Sequence, residues 1–225
     1  MIPLRDDKVT RTAPLITWAL VLANIAVFVY ELTLDRSGLD ALISRFGLVP
    51  ARLWALGSFL SAGRPGAALV PLVSSMFLHG GWLHLVGNIW MLWLFGDDIE
   101  ERLGHVRFLV FYLVTGILAG LLHALIQAQS TIPTIGASGA IAGVMGAYLV
   151  AYPFAWLTLV VPVFFIPLPV KMPAAVFLLL WIVSQVAAGC LGTGSGAGVA
   201  FWAHVGGFVA GLLLVRRGSR PRRRR

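Results

Sequence analysis

The sequence predicts an all-α polytopic membrane protein, a bundle of six transmembrane helices with both termini in the cytoplasm. Three observations carry that expectation. Of the 225 residues, 59% are hydrophobic and only 12% charged, against roughly 45–50% and about 25% in a soluble domain. Six stretches approach the roughly 20 apolar residues that a spanning helix needs. With six spans threaded, thirteen basic residues fall on the side of the termini and four on the other, the asymmetry that marks the richer side as cytoplasmic.

The elements follow in order. Residues 1–13 carry Arg5, Lys8 and Arg11 and read as a cytoplasmic segment. The apolar run that follows, about 14–34, outlasts the roughly 7–15 residues of a signal-peptide core, so it is expected to be retained as the first span. The loop at about 35–71 contains Gly47, Pro50, Gly57, Gly63 and Pro65 among Trp54 and four arginines. It is too broken to span and suits short amphipathic pieces at the interface. Spans are then expected at about 72–95, 106–127, 137–153, 172–190 and 197–215. Between the fourth and fifth, Pro153, Pro162, Pro167 and Pro169 exclude a regular helix, and an irregular hairpin or re-entrant piece is expected. One domain thus covers 14–215. The tail, 216–225, holds seven of the seventeen basic residues and reads as a cytoplasmic anchor against anionic lipid, not as a nucleic-acid site. Cys190 stands alone, so there is no disulfide framework.

Polar residues inside spans are costly and need a reason. Here they gather on three: His79, His84 and Asn88 on the second, Gly136-Ala137-Ser138-Gly139 opening the fourth, and Ala203-His204 on the sixth. These three spans run from outside inward. His204 lies about seven residues, roughly 10 Å, below the outer surface. The fourth span is short, so Ser138 starts at a similar depth. Gly207 and Gly211 follow His204 on one helix face, and Ala142 and Gly146 follow Ser138. Such faces let membrane helices approach backbone to backbone. A serine hydroxyl becomes a nucleophile when a base takes its proton, and neutral histidine is the usual base. His84 and Asn88, four apart, can offer N–H donors to an oxyanion, and the Ser138 amide lies at a helix start, where free donors collect.

The bland readings are an N-cap for Ser138, a structural role for His79, interhelical hydrogen bonds for His123 and Asn24, and a solvated turn for His105. A transporter would show inverted repeats, and no repeat is evident. No carboxylate is placed beside His204: Asp97, Asp98, Glu100 and Glu101 lie at the cytoplasmic end, and nothing points to Asp35 or Asp40. A Ser–His dyad is therefore expected.

At these residues the chain closely resembles the rhomboid family of intramembrane serine proteases over about 70–215. The family's H-x4-H-x3-N is His79, His84 and Asn88, and its G-x-S-G is Gly136, Ser138 and Gly139. Its A-H-x-x-G is Ala203, His204 and Gly207, and its E-x-R-L-G is Glu100, Arg102, Leu103 and Gly104. The resemblance implies a compact six-helix bacterial type of rhomboid-like bundle in the inner (plasma) membrane, its site open to the extracytoplasmic side. It implies Ser138 and His204 as the catalytic dyad, and Asn88, His84 and the Ser138 amide as the oxyanion hole. It implies no cofactor and no metal, and membrane proteins whose transmembrane helices enter from the lipid as substrates. The alternative is a catalytically silent relative that binds client helices, a class that typically lacks the Ser or the His. Two family features differ: Val70-Pro71 stands where many members have Trp-Arg, and Ala142 where some have a tyrosine against the histidine, a place Phe201 or Trp202 could fill.

Overall fold

The computed structural model describes residues 2–8, 10–163, 166–192 and 200–215; the arginine tail and the first residues of the sixth expected span lie outside them. Helix α1 (Leu15–Leu32) leads into four short helices, α2 (Arg36–Phe46), α3 (Pro50–Trp54), α4 (Leu56–Ser61) and α5 (Gly66–Leu69). These occupy the broken first loop. Asp35 begins α2 as its N-cap, accepting from the Gly38 amide at 2.8 Å and the Ser37 hydroxyl at 2.9 Å, which hold its carboxyl below the usual range. Asp35 is thus engaged at the start of α2, and the ring nitrogens of His204 face other residues.

The second expected span is corrected at both ends. A short helix α6 (Pro71–Ser74) and a 3-10 turn (Ser75–Phe77) come first, and α7 runs from Trp82 to Leu103. The stretch before α7 is bent against it by 79°. Gly80-Gly81 makes the break, with Gly81 at φ 151°, outside the usual range of other residues. At its far end α7 continues through Asp97–Arg102, a charged turn that hydropathy alone would exclude. Gly104, at φ 81°, then turns the chain directly into α8 (His105–Ile126), and α9 (Ser138–Ala151), α10 (Ala174–Cys190) and α11 (Phe201–Leu214) complete the helices. By length and composition α1 and α8 can each cross a membrane, and a third crossing results if the bent pair before and through α7 counts as one span. Helices α9 to α11 are apolar but have 14–17 residues, about 21–26 Å at helical rise.

The expectation of an all-α chain is also corrected. Strands β1 (Ile2–Asp6), β2 (Trp156–Val163) and β3 (Ile166–Pro173) form an antiparallel sheet in that order at the end of the bundle where α9 finishes. The prolines that forbid a helix here are tolerable in this setting. Pro167, Pro169 and Pro173 occupy alternate positions of β3, an edge strand, so their missing N–H groups fall on one side of it, as edge prolines require. β1 closes the other side by pairing with Leu157–Val160, and the Tyr148 hydroxyl donates to the Asp6 carboxylate beneath it.

Helices α9 and α11 meet most closely. A Cβ on Gly207 would land on the Gly139 carbonyl oxygen, one on Gly211 on that of Gly143, and one on Gly146 on that of Phe208. The α9 side of this seam is therefore Gly139, Gly143 and Gly146, whereas the sequence suggested Ala142 with Gly146. Ala142 is fully buried and lies beside the seam. Around it pack Phe95, Phe108, Tyr112, Tyr148 and Phe208, all nearly or fully buried.

Candidate active site

The glycine seam sets the depth of two reactive side chains. Ser138 is the first residue of α9 and His204 the fourth of α11. Because the helix axes are held at backbone contact, a short hydroxyl and an imidazole reach one another: Ser138 Oγ lies 2.8 Å from His204 Nε2, within hydrogen-bond range. Trp181 on α10 lies against the imidazole at 5.8 Å between ring centroids, tilted 34°, and Phe201 meets it edge-on at 6.4 Å. Trp202, the other residue considered for that place, sits instead against Gly189.

The other nitrogen of the ring has a partner that sequence reading missed. His204 Nδ1 is 2.7 Å from Gln185 Oε1 on α10. The available signal was modest: Ser184-Gln185 is a polar pair inside the apolar stretch 172–190, where polar side chains seldom occur without a task.

Beside Ser138 the chain is bent by Gly136 at φ 121°, a conformation that favours glycine. Its amide donates to the Ser75 carbonyl at 2.8 Å. Space confirms the need for glycine, since a Cβ there would lie 2.5 Å from His84 Nε2 and 3.6 Å from Asn88 Nδ2. Two side chains one turn apart on α7 thus converge over the residue that precedes Ala137-Ser138. Asn88 is 8% exposed, and its buried Nδ2 has no hydrogen-bond partner among the described residues. The His84 ring has its Nδ1 3.4 Å from the Gly80 amide, which donates to it. A ring nitrogen that accepts carries no proton, so in the neutral ring Nε2 has the N–H. Both donors therefore lie beside Gly136, two residues before Ser138. With the unsatisfied first amides of α9, the arrangement can bind a negatively charged oxygen.

His79 does not lie on α7 but in the turn before it. Its backbone N–H donates to the buried Glu31 carboxylate at 3.1 and 3.3 Å, and its ring meets His84 edge-on at 5.1 Å. His123 bonds Thr134 in the segment leading to α9, at 3.1 Å. His105 is solvent-exposed as expected, at 45%, and in addition bonds the buried Glu100 at 2.6 Å. Glu100 in turn accepts from the amides of Ile16 and Thr17 and from the Thr17 hydroxyl at 2.7–2.8 Å, so it caps α1 and is far from Ser138 in the chain's architecture. A cavity of about 30 Å³, lined by Gly116, Ala119, Gly136, Ser138 and Ala203 among others, adjoins Ser138. Among the described residues no three His, Cys, Asp or Glu side chains converge as metal ligands.

The family model of the Rhomboid domain matches residues 66–220. RHOMBOID-like protein 5 of Arabidopsis thaliana is 32% identical over 143 residues, covering 64% of this chain and 42% of that protein. RHOMBOID-like protein 1 of the same plant is 29% identical over 220 residues, 89% of this chain and 52% of that protein. RHOMBOID-like protein 4 is 35% identical over 143 residues, 64% and 32% respectively. The chain thus spans about half or less of the length of these relatives.

Proposed function

This chain belongs to the rhomboid family, an integral membrane family, and from that premise we propose that it is an intramembrane serine endopeptidase acting on transmembrane protein substrates. The observation that carries the reading is the 2.8 Å contact between Ser138 Oγ and His204 Nε2, with His84 Nε2 and Asn88 Nδ2 close to Gly136 beside it. A silent relative would have no use for that contact and would gain nothing from burying an unpaired Asn88 donor, which costs free energy.

In this mechanism Ser138 Oγ attacks the scissile carbonyl carbon while His204 Nε2 takes the hydroxyl proton. The carbonyl oxygen, now an anion, accepts from Asn88 Nδ2, from His84 Nε2–H and from the Ser138 amide. Such donors act most strongly in a site with little water. Collapse of the adduct expels the amine, which takes the proton back from His204 and leaves an acyl-enzyme on Ser138. Water, deprotonated by His204, then attacks the ester carbonyl, and collapse releases the carboxylic acid as Ser138 Oγ takes the proton back from His204. The cavity beside Ser138 has room for little more than one water-sized group, so a small substrate side chain fits there.

The topology proposed with this activity has six spans, the short helices α9, α10 and α11 crossing within the bundle. Both termini are cytoplasmic, in the plasma membrane, and the Ser138 end opens to the extracytoplasmic side. Support comes from the thirteen-to-four distribution of basic residues. The test is a serine-reactive fluorophosphonate probe on the purified protein, together with cleavage of a model transmembrane substrate. The wild type is expected to label and cleave, and Ser138→Ala to do neither while staying folded. A wild type that neither labels nor cleaves would leave only a client-binding role.

A further inference from the structure

We propose that Gln185 is a positioning residue that fixes the tautomer of His204, so that the proton needed on Nδ1, and the bare Nε2 facing Ser138, are both set before substrate arrives. The inference rests on the protease reading above for its consequence, but not for its geometry.

The hydrogen bonds resolve the proton positions from one end. Ser184 Oγ lies 2.6 Å from the Trp181 carbonyl, which can only accept, so the Ser184 hydroxyl proton is committed there. This is the local bond a lipid-facing serine makes when no water competes. The Ser184 oxygen keeps its lone pairs and accepts from Gln185 Nε2 at 3.1 Å. The Gln185 amide is thereby oriented, its nitrogen toward Ser184 and its oxygen toward His204. An amide oxygen cannot donate, so across the 2.7 Å contact His204 Nδ1 is the donor. A neutral imidazole carries one N–H, which leaves Nε2 bare and able to receive the Ser138 hydroxyl proton across 2.8 Å. Each member of the series Trp181–Ser184–Gln185–His204–Ser138 has one consistent assignment, and no member is charged.

That neutrality suits the surroundings. A carboxylate in this place would be an ion in a hydrocarbon layer, an expense that an amide avoids. The amide still performs the orienting half of the task that an aspartate performs in soluble triads, which is to select the tautomer and hold the ring. Trp181 and Phe201 restrict the same ring from its face and edge. The titratable groups that act on His204 from the neighbouring helices are His84 on α7 and His123 on α8, and neither supplies an acceptor to Nδ1.

The test uses the full chain in detergent, labelled with ¹⁵N-histidine. The His204 signals are identified by their loss in His204→Ala. A protonated Nδ1 and an unprotonated Nε2 are expected, and a protonated Nε2 would overturn the proposal. In kinetics, Gln185→Leu is expected to lower the rate of fluorophosphonate labelling and kcat per labelled site by about tenfold, the scale of one neutral hydrogen bond, beyond any fall in Tm that the unpaired His204 Nδ1–H brings. Gln185→Glu, which keeps an acceptor oxygen at Nδ1 but brings the cost of a charge, is expected to have a lower Tm and yet be clearly more active per labelled site than the leucine variant. A leucine variant as active as wild type, or a glutamate variant no better than the leucine one, would overturn the assignment. An unlabelled wild type would instead fail the protease reading, and the ¹⁵N spectrum would still decide the tautomer.

Discussion

Asn88 and Glu100 lie on one helix, twelve residues and about 18 Å apart, and both are buried, at 8% and 1% exposure. They are treated in opposite ways. Glu100 is saturated: two amides, a hydroxyl and an imidazole converge on its two oxygens. Among the described residues Asn88 Nδ2 has no hydrogen-bond partner. A buried polar group that is fully bonded contributes to holding the fold, whereas one left unbonded costs stability and calls for an explanation. The contrast sets architecture at one end of α7 against the chemistry proposed at the other, although both residues belong to family motifs and look alike in the sequence.

The largest effect is expected from Asn88→Ala. If the free Nδ2 serves a developing oxyanion, kcat should fall by about 10²–10³-fold, the loss typical of one such donor. Tm should be unchanged, because no hydrogen bond made by Nδ2 is lost. A loss confined to KM would make Asn88 a substrate-binding residue instead. A fall in Tm without a fall in kcat would place it with Glu100.

Gly207→Leu should come next, and it tests the seam that brings the site together. Even a Cβ at Gly207 meets the Gly139 carbonyl, so a leucine must push α11 from α9. Overpacking of this kind costs about 1–3 kcal/mol, and a displacement of about 1 Å at a reacting pair can cost on the order of 10²-fold. Activity is expected to drop at least tenfold with a lower Tm. Leu213→Ala on the same helix, 78% exposed, is the control and should change neither. A fully active Gly207→Leu would show that the Ser138–His204 distance does not depend on this seam.

How far the sequence revealed these features depended on whether the signal was local. Helices α1 and α8 were legible because each is a continuous apolar run with a turn signal at its boundary, Gly104 before α8. The start of α7 was not, because a hydropathy window averages across Gly80-Gly81 and does not register a 79° bend. β1 was also hidden: residues 2–6 pair with residues about 150 positions away, and a five-residue strand has no periodicity of its own. At the site, Ser138, His204, His84 and Asn88 stood out as polar residues in apolar surroundings. Gln185 had the same mark but no visible partner, since the rotation of α10 against α11 is set by tertiary packing. The small-residue argument found the right helix pair and Gly146, but took Ala142 with it for the α9 side. The face follows from the carbonyls of Gly139 and Gly143, and only their neighbours across the seam single these out.

Glu100→Ala is the complementary variant to Asn88→Ala and should have the smallest effect on turnover. It removes the shared acceptor of the Ile16 and Thr17 amides and the Thr17 hydroxyl, at the start of α1. Each buried donor left unpaired costs about 1–3 kcal/mol, so Tm in detergent should fall markedly. Glu100→Gln, with one acceptor oxygen retained, should fall less. Turnover per folded molecule, obtained by normalising kcat to fluorophosphonate-labelled sites, should match wild type in both. There is one physical route by which this expectation could fail. The far end of α1 carries Glu31, whose carboxylate holds the His79 amide, and the His79 ring packs against His84. If releasing the start of α1 allowed the whole helix to shift, that series would carry the movement to an oxyanion donor. Glu31→Gln distinguishes the cases. Its loss should reduce kcat in a protein whose Glu100 cap is intact if the route is real. If Glu100→Ala lowers turnover while Glu31→Gln does not, the two ends of α7 are not energetically separate, and the division between architecture and chemistry along this helix fails.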